Sequence, residues 1–269
     1  MAADINYIKI NRESWNRRTE AHIHSEFYDV ESFLQGKSSL NSIELDLLGA
    51  LKGKSILHLQ CHFGQDSISL SRMGGEVTGV DFSETAIEYA RKLAAEAGTD
   101  AQFICSDIYE LPNKHLNKTF DIVFTSYGTI GWLPDMEKWA NIISTFLKPG
   151  GEFVFVEFHP VVWMFDYDFK KVAYNYFNAE AIIETESGTY ADPDSTEKHD
   201  SVSWNHPISD VVNALIDKKL IIESLNEYDY SPYNCFKHTE EFEPGKFRIK
   251  HLKDCIPMVY SIKASKKSN

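Results

Sequence analysis

Along the middle of the chain, short runs of β-branched and aromatic residues alternate with segments whose apolar residues recur every three to four positions. That alternation predicts βαβ units. Ser55-Ile56-Leu57-His58-Leu59 reads as the first strand, followed by a helix over Gln65–Met73 that ends at Gly74-Gly75, where glycine tolerates a left-handed cap. Val77–Val80 reads as a second strand ending at Asp81, and Ser83 is placed to cap a helix that carries Ile87, Ala90, Leu93, Ala94 and Ala97 on one face. Gln102–Cys105 is the third strand, ending near Asp107. Asp121-Ile122-Val123-Phe124-Thr125 has the continuous apolar character of a strand buried on both faces, so it belongs at the centre of a parallel sheet.

Pro134 opens a helix with Met136, Trp139, Ile143, Phe146 and Leu147 facing inward; Lys148-Pro149-Gly150-Gly151 stops it before a fifth strand, Glu152–Val156. From 160 to about 207 the alternation is lost, with two short strands around Ile182–Thr185 and Ser201–Trp204. A helix over Ile208–Lys219, a strand over Leu220–Leu225, an irregular aromatic stretch and a last strand near Met258–Lys263 complete the pattern. The first forty residues read as helices laid across the domain. The expected architecture is therefore α/β: a Rossmann-like, mostly parallel seven-stranded sheet with helices on both faces, an N-terminal helical segment and an inserted cap after strand five. One domain is expected over 1–269, with 1–45 as a helical lid and insertions at 160–207 and 228–255 forming a substrate cap.

Composition narrows the function. The 269 residues are 43% hydrophobic and 25% charged, an ordinary globular mix. A net charge of -13 would repel a phosphate backbone, which argues against nucleic-acid partners. The N-terminus is punctuated by charge and no apolar run reaches the roughly 20 residues of a membrane span, so a cytoplasmic location without membrane contact is expected. The four cysteines, Cys61, Cys105, Cys235 and Cys255, form no C-x-x-C pair and read as reduced thiols.

In an open parallel sheet, ligands bind at the carboxyl ends of the strands. The loop after strand one is Gln60-Cys61-His62-Phe63-Gly64-Gln65-Asp66, the loop after strand two is Asp81-Phe82-Ser83, and strand three ends at Ser106-Asp107-Ile108. An acid at the end of strand two is placed to accept from both hydroxyls of a ribose. Asp107 can accept from an adenine amino group.

These motifs resemble the class I S-adenosylmethionine-dependent methyltransferases. Val80-Asp81, Ser106-Asp107-Ile108, Phe120-Asp121-Ile122-Val123 and Leu147-Lys148-Pro149-Gly150-Gly151 stand in that family's order. The family's first motif, Gly-x-Gly-x-Gly after an acid, is only partly matched: Gly64 stands at one glycine position, Gln60 and His62 occupy the other two, and His58 replaces the acid. The first loop is most similar to a bacterial group reading Leu-Gln-Cys-x-Phe-Gly-Gln-Asp. The resemblance implies S-adenosyl-L-methionine as cofactor, held by Gln60, Cys61, His62, Gly64, Asp66, Asp81, Phe82, Ser106, Asp107, Ile108 and Ser126, with Trp15 from the lid. It implies transfer of a methyl group to a small-molecule acceptor, whose oxygen or nitrogen nucleophile attacks the sulfonium-activated methyl carbon in line with the departing sulfur. Among groups past strands four and five, Ser126, Tyr127, Glu157 and His159, the first choice of base is His159, with Tyr127 beside it; the alternative for His159 is a structural bond that holds the turn before Pro160.

Competing readings remain. An NAD(P)-dependent oxidoreductase would also use Asp81, but the phosphate-binding G-x-G-x-x-G is absent and Asp66 at the helix start opposes a pyrophosphate. The Tyr-x-x-x-Lys spacing of a short-chain reductase occurs at Tyr167–Lys171 and Tyr233–Lys237, both in irregular segments. A non-catalytic cofactor-binding module is the third reading. His58, Cys61 and His62 lack a second pair of ligands, so no metal is expected. His22 and His24 read as surface residues of an N-terminal helix. The dense aromatics Trp163, Phe165, Tyr167, Phe169, Tyr174, Tyr176 and Phe177 suit a small core of the cap or the lining of a substrate pocket equally.

Overall fold

The computed structural model describes residues 6–114, 116–177 and 180–268; the first five residues of the expected lid and two residues of the 160–207 insertion lie outside them. Three helices, α1 (Tyr7–His22), α2 (Val30–Leu34) and α3 (Ser42–Leu48), precede β1 (Ser55–Leu59). Then come α4 (Gln65–Arg72), β2 (Glu76–Asp81), α5 (Glu84–Glu96), β3 (Gln102–Cys105), α6 (Leu111–Lys114) and β4 (Phe120–Ser126). α7 (Met136–Phe146) leads into β5 (Leu147–Phe158), and β6 (Ile182–Ser187) and β7 (Lys198–Ser203) form a hairpin. α8 (Ile208–Asp217), β8 (Leu220–Tyr228), β9 (Thr239–Glu243), β10 (Lys246–Ile249) and β11 (Val259–Lys266) complete the chain.

Seven strands form the main sheet in the order β3-β2-β1-β4-β5-β11-β8. β11 runs antiparallel to both β5 and β8, whereas β1/β2, β2/β3 and β4/β5 are parallel. This is the Rossmann-like, mostly parallel seven-stranded architecture that the hydrophobic pattern predicts. β5 is longer than expected because Lys148–Gly151, which reads as a stop signal, is absorbed into the strand as a bulge: Phe120 pairs with Leu147, but Ile122 already pairs with Glu152. Two polar strands, β9 and β10, were hidden in the segment that reads as irregular. Thr-Glu-Glu-Phe-Glu lacks an apolar alternation, and only Pro244-Gly245 signals the turn.

The chain forms two compact units. The first comprises residues 1–40, 51–117 and 181–203. Here α1 lies against β7, clamped by a reciprocal pair of hydrogen bonds in which Asn11 Nδ2 donates to Val202 O (2.8 Å) and Val202 N donates to Asn11 Oδ1 (2.9 Å). α4 starts at Gly64, a left-handed N-cap with φ of 84°. A Cβ at Gly64 would lie 2.6 Å from the Phe103 ring and 3.0 Å from Ala90 Cβ, so glycine is needed there both for backbone shape and for helix-to-strand contact.

The second unit comprises 41–50, 118–180 and 204–269. Its sheet core is aromatic: Trp139 of α7 meets Phe153 and Phe155 of β5 edge-on at 5.6 and 5.4 Å. A smaller core joins Val162, Phe169, Ile249 and Met258, with Phe158, Phe165 and Phe236 packed against it. Phe165 and Phe169 thus serve the small core, while Trp163, Tyr167 and Phe177 are exposed.

Gly64→Ala should destabilise the protein by about 2–5 kcal/mol, adding left-handed backbone strain to overpacking against Phe103. Urea unfolding measures it; a change below about 1 kcal/mol would mean that the loop relaxes freely.

Candidate functional site

In the first unit, the carboxyl ends of β1, β2 and β3 converge through hydrogen bonds between their loops. Cys61 N donates to Val80 O (2.9 Å), and Ser106 N donates to Asp81 O (2.8 Å). The Asp81 carboxylate closes the arrangement, accepting from His62 N on Oδ2 and from Ser83 N on Oδ1, both at 2.9 Å. Asp81 is 8% exposed. Burial pushes its pKa up to about 6, against the downward pull of the Ser83, His62 and Phe82 main-chain groups.

The loop after β1 resolves the puzzle of its missing glycines. Gln60, His62 and Gly64 all have positive φ, at 55°, 50° and 84°. The backbone therefore takes the left-handed turns that glycine would supply, at a cost of about 1–2 kcal/mol for each non-glycine residue. Cys61 is buried, with its thiol pushed to a high pKa by burial. Asp66 sits in the first turn of α4. Ser106 and Ile108 are buried, and Phe82 is half-buried. Asp107 caps a short 3-10 turn, accepting from Tyr109 N at 2.9 Å. His58 is buried in packing, sharing a 2.8 Å hydrogen bond between Nδ1 and Ser67 Oγ; burial lowers its pKa to about 3.

His22 departs from expectation. His24 is exposed, but His22 is fully buried. The chain turns sharply after α1 and returns Tyr28 to stack on the His22 ring at 5.3 Å, while Tyr190 meets it at 4.9 Å. His22 Nδ1 lies 2.9 Å from His62 Nε2, and its Nε2 lies 3.1 Å from Thr189 Oγ1. Trp15, Tyr28 and Phe63 present edges to the His62 ring at 5.2, 5.5 and 4.6 Å. Helix α1 also grips the end of β2: Ser83 Oγ donates to Asn16 Oδ1 at 2.6 Å while accepting the N-cap bond of α5 from Ala86 N. Asn16, His22, Thr189 and Tyr190 escape a sequence reading because they lie far apart in the chain and share no motif; only the paired histidines of His-Ile-His were visible.

In the second unit, Ser126 ends β4, and Tyr127 follows in a left-handed conformation with φ of 41°. The Tyr127 hydroxyl donates to Glu44 Oε2 at 2.8 Å; Glu44 is fully buried, and burial raises its pKa. Glu157 is buried too. It accepts from Thr129 N (2.7 Å), Thr129 Oγ1 (2.9 Å), Ile130 N (3.2 Å), Phe158 N (2.7 Å) and Gly128 N, so it organises the loop after β4 and has little capacity left for a substrate proton.

His159 is 3% exposed and has both ring nitrogens engaged. Val161 N donates to Nδ1 at 3.1 Å, and Nε2 lies 2.9 Å from Glu227 Oε1. Those contacts are the ones the structural alternative for His159 calls for, holding the turn before Pro160. Tyr167–Lys171 and Tyr233–Lys237 lie on no helix.

Comparison with known proteins bears on these loops. Residues 56–151 match the family described as "Methyltransferase domain". That segment is similar to methyltransferase domains. A ubiquinone biosynthesis O-methyltransferase of Salmonella arizonae is 28% identical over 135 residues, covering 49% of this chain and 55% of its own. One from Bordetella avium is 27% identical over 129 residues, covering 46% and 53%. The matched segment thus spans about half the length of these curated relatives. A geranyl diphosphate C-methyltransferase from Streptomyces coelicolor shares the fold with a TM-score of 0.60 at 15% identity, covering 99% of this chain and 100% of its own. An S-adenosylmethionine-dependent methyltransferase from Mesorhizobium loti superposes with a TM-score of 0.58 at 20% identity, covering 87% and 100%.

The matched segment contains every strand-end residue from Gln60 to Ile108 that the sequence nominates, together with Ser126 and Tyr127. Trp15 and His22 of α1, Thr189 in the β6–β7 connection and His159 lie outside it. Among the described residues, no helix is long and apolar enough to cross a membrane.

Burial lowers the His22 pKa to about 2. Below its unfolded value near 6.5 the unfolded chain binds the extra proton and the fold does not, so this residue's contribution falls with pH by up to about 1.4 kcal/mol per unit. His22→Gln should therefore show a shallower loss of unfolding free energy between pH 7 and pH 5 than the unaltered protein. Parallel slopes in denaturant titrations would show that His22 does not titrate as a buried neutral group.

Proposed function

We propose that the protein transfers a methyl group from S-adenosylmethionine to a small-molecule acceptor through an oxygen or nitrogen nucleophile. The observation that carries this reading is the Asp81 carboxylate at the end of β2, tied to the loop after β1 by the His62 N–H. A carboxylate offers about four acceptor positions, so those beyond its main-chain bonds remain for the two hydroxyls of a ribose. Asp107 stands at the next strand end, where it would meet the adenine amino group. The left-handed loop from Gln60 to Gly64, with Asp66 in the first turn of α4, suits a cationic ligand without phosphates better than a pyrophosphate. Trp15 and its aromatic neighbours cover the same loop and favour a sulfonium over water.

When bound, the cofactor supplies a methyl group already activated by positive sulfur, and displacement there needs chiefly alignment of the nucleophile. The chain's own contribution is to hold the acceptor, exclude water and receive its proton. Tyr127 is the residue we assign to receive that proton, since its hydroxyl donates to the buried Glu44 carboxylate. A proton arriving at the phenol oxygen can therefore pass onward to a carboxyl that burial already makes more basic. The similarity to ubiquinone biosynthesis O-methyltransferases favours oxygen as the nucleophile. The acidic surface favours a small molecule over nucleic acid, and the aromatics of the segment after β5 suit a flat or apolar acceptor.

Asp81→Ala should weaken S-adenosylmethionine binding by about a hundredfold or more, since two hydrogen bonds to a charged acceptor are each worth about 1.5–3 kcal/mol. Isothermal titration with S-adenosylmethionine, NADH and NADPH tests the reading itself; selective binding of a nicotinamide cofactor would replace it. Transfer of labelled methyl to any member of a metabolite panel would separate an enzyme from a binding module. Affinity for S-adenosylmethionine should also fall as pH drops through about 6, where the Asp81 carboxylate gains its proton. A flat profile from pH 7 to pH 5 would detach Asp81 from the ribose.

A further inference from the structure

The hydrogen-bond chain that ends at His62 has a direction, set at its far end. Thr189 Oγ1 accepts from two main-chain donors, Ala191 N at 3.2 Å and Asp192 N at 3.0 Å. Both lone pairs of the hydroxyl are thereby used, so its hydrogen must go to His22 Nε2, 3.1 Å away. His22 then carries its own proton on Nδ1 and donates it to His62 Nε2 at 2.9 Å. A neutral His62 that accepts at Nε2 must be protonated at Nδ1. Burial keeps both rings neutral, holding the pKa of His62 at about 3 and that of His22 at about 2. Yet Nδ1 of His62 is buried with no acceptor among the described residues. A buried donor without a partner is costly, and here it sits in the loop after β1, on a residue whose main chain already binds Asp81.

We propose that the His62 side chain is a cofactor ligand whose Nδ1–H, oriented by Thr189 through His22, donates to an acceptor oxygen of S-adenosylmethionine. Resting on the methyltransferase reading above, this assigns a purpose to a histidine at a position where the left-handed backbone would suit glycine. The oxygen would be one of the ribose or of the carboxylate of the methionine portion. Thr189 and His22 are positioning residues: they fix which ring nitrogen of His62 carries the proton.

The test pairs calorimetry with a tautomer measurement on the whole protein. His62→Gly relaxes a strained left-handed position, so the loop should keep its path, and affinity for S-adenosylmethionine should fall tenfold or more. Thr189→Val should produce a smaller loss that Thr189→Ser restores. Nitrogen-15 imidazole spectra of the unliganded protein should show His62 protonated at Nδ1, and Thr189→Val, but not Thr189→Ser, should disturb that signal. If His62→Gly weakens S-adenosylmethionine and adenosine alike, the acceptor is on the ribose; if adenosine is unaffected while S-adenosylmethionine suffers, it is the carboxylate, and decarboxylated S-adenosylmethionine should then bind both proteins equally. Equal affinity of His62→Gly and the unaltered protein for every probe, or protonation at Nε2, overturns the inference alone. Failure of the unaltered protein to bind S-adenosylmethionine at all overturns the methyltransferase reading and this inference with it.

Discussion

The Asp81 carboxylate, buried at the end of β2, is the tie on which the first unit's loops depend. Two main-chain N–H groups, one from the loop after β1 and one from the loop that starts α5, end on its two oxygens. A buried carboxylate is tolerated only when such donors surround it. The donors in turn are held where they are only while the carboxylate is there. The group that organises the loops is thus the one proposed to meet a ribose, and its raised pKa records the tension between burial and charge.

From that tie follows the loop's path. Gln60 and His62 accept left-handed conformations that cost free energy, and the surrounding contacts offset it. His62 is locked by its main-chain bond to Asp81 on one side and by the His22 ring on the other. The N-terminal helix is built to match. α1 reaches the sheet ends through Asn16 and Ser83, and the β6–β7 hairpin through Asn11 and Thr189. Much of this closure is polar and buried, so it fixes one geometry where apolar packing would accept several.

The second unit repeats the logic with a different carboxylate. Glu157, at the end of β5, gathers the main chain of Gly128, Thr129 and Ile130 and so shapes the turn after β4. Tyr127, just before that turn, is held in an unfavourable backbone conformation with its hydroxyl on Glu44. The His159 ring joins this scaffolding, meeting both Val161 and Glu227.

The central strands and their helices were legible in the sequence because each depends on local pattern. β3 runs over Gln102–Cys105 as expected, α5 is capped by Ser83, and Asp81 and Asp107 stand at strand ends because continuous apolar runs stop there. β9 and β10 were not legible, since their stability comes from pairing and a Pro-Gly turn and not from an apolar face. The role of the first loop was legible only in part. Sequence shows that Gln60 and His62 replace glycines, but backbone dihedrals are set by tertiary contacts, and only the structure reveals that both residues keep the glycine-like path. The burial of His22 and the orientation of its ring depend on Thr189, 167 residues away, through a hydrogen bond that no local pattern encodes. Composition and periodicity determined the sheet, its helices and the carboxylates at its edge; tertiary structure decided which polar side chains are buried against them, because burial is a property of what the chain brings together from a distance.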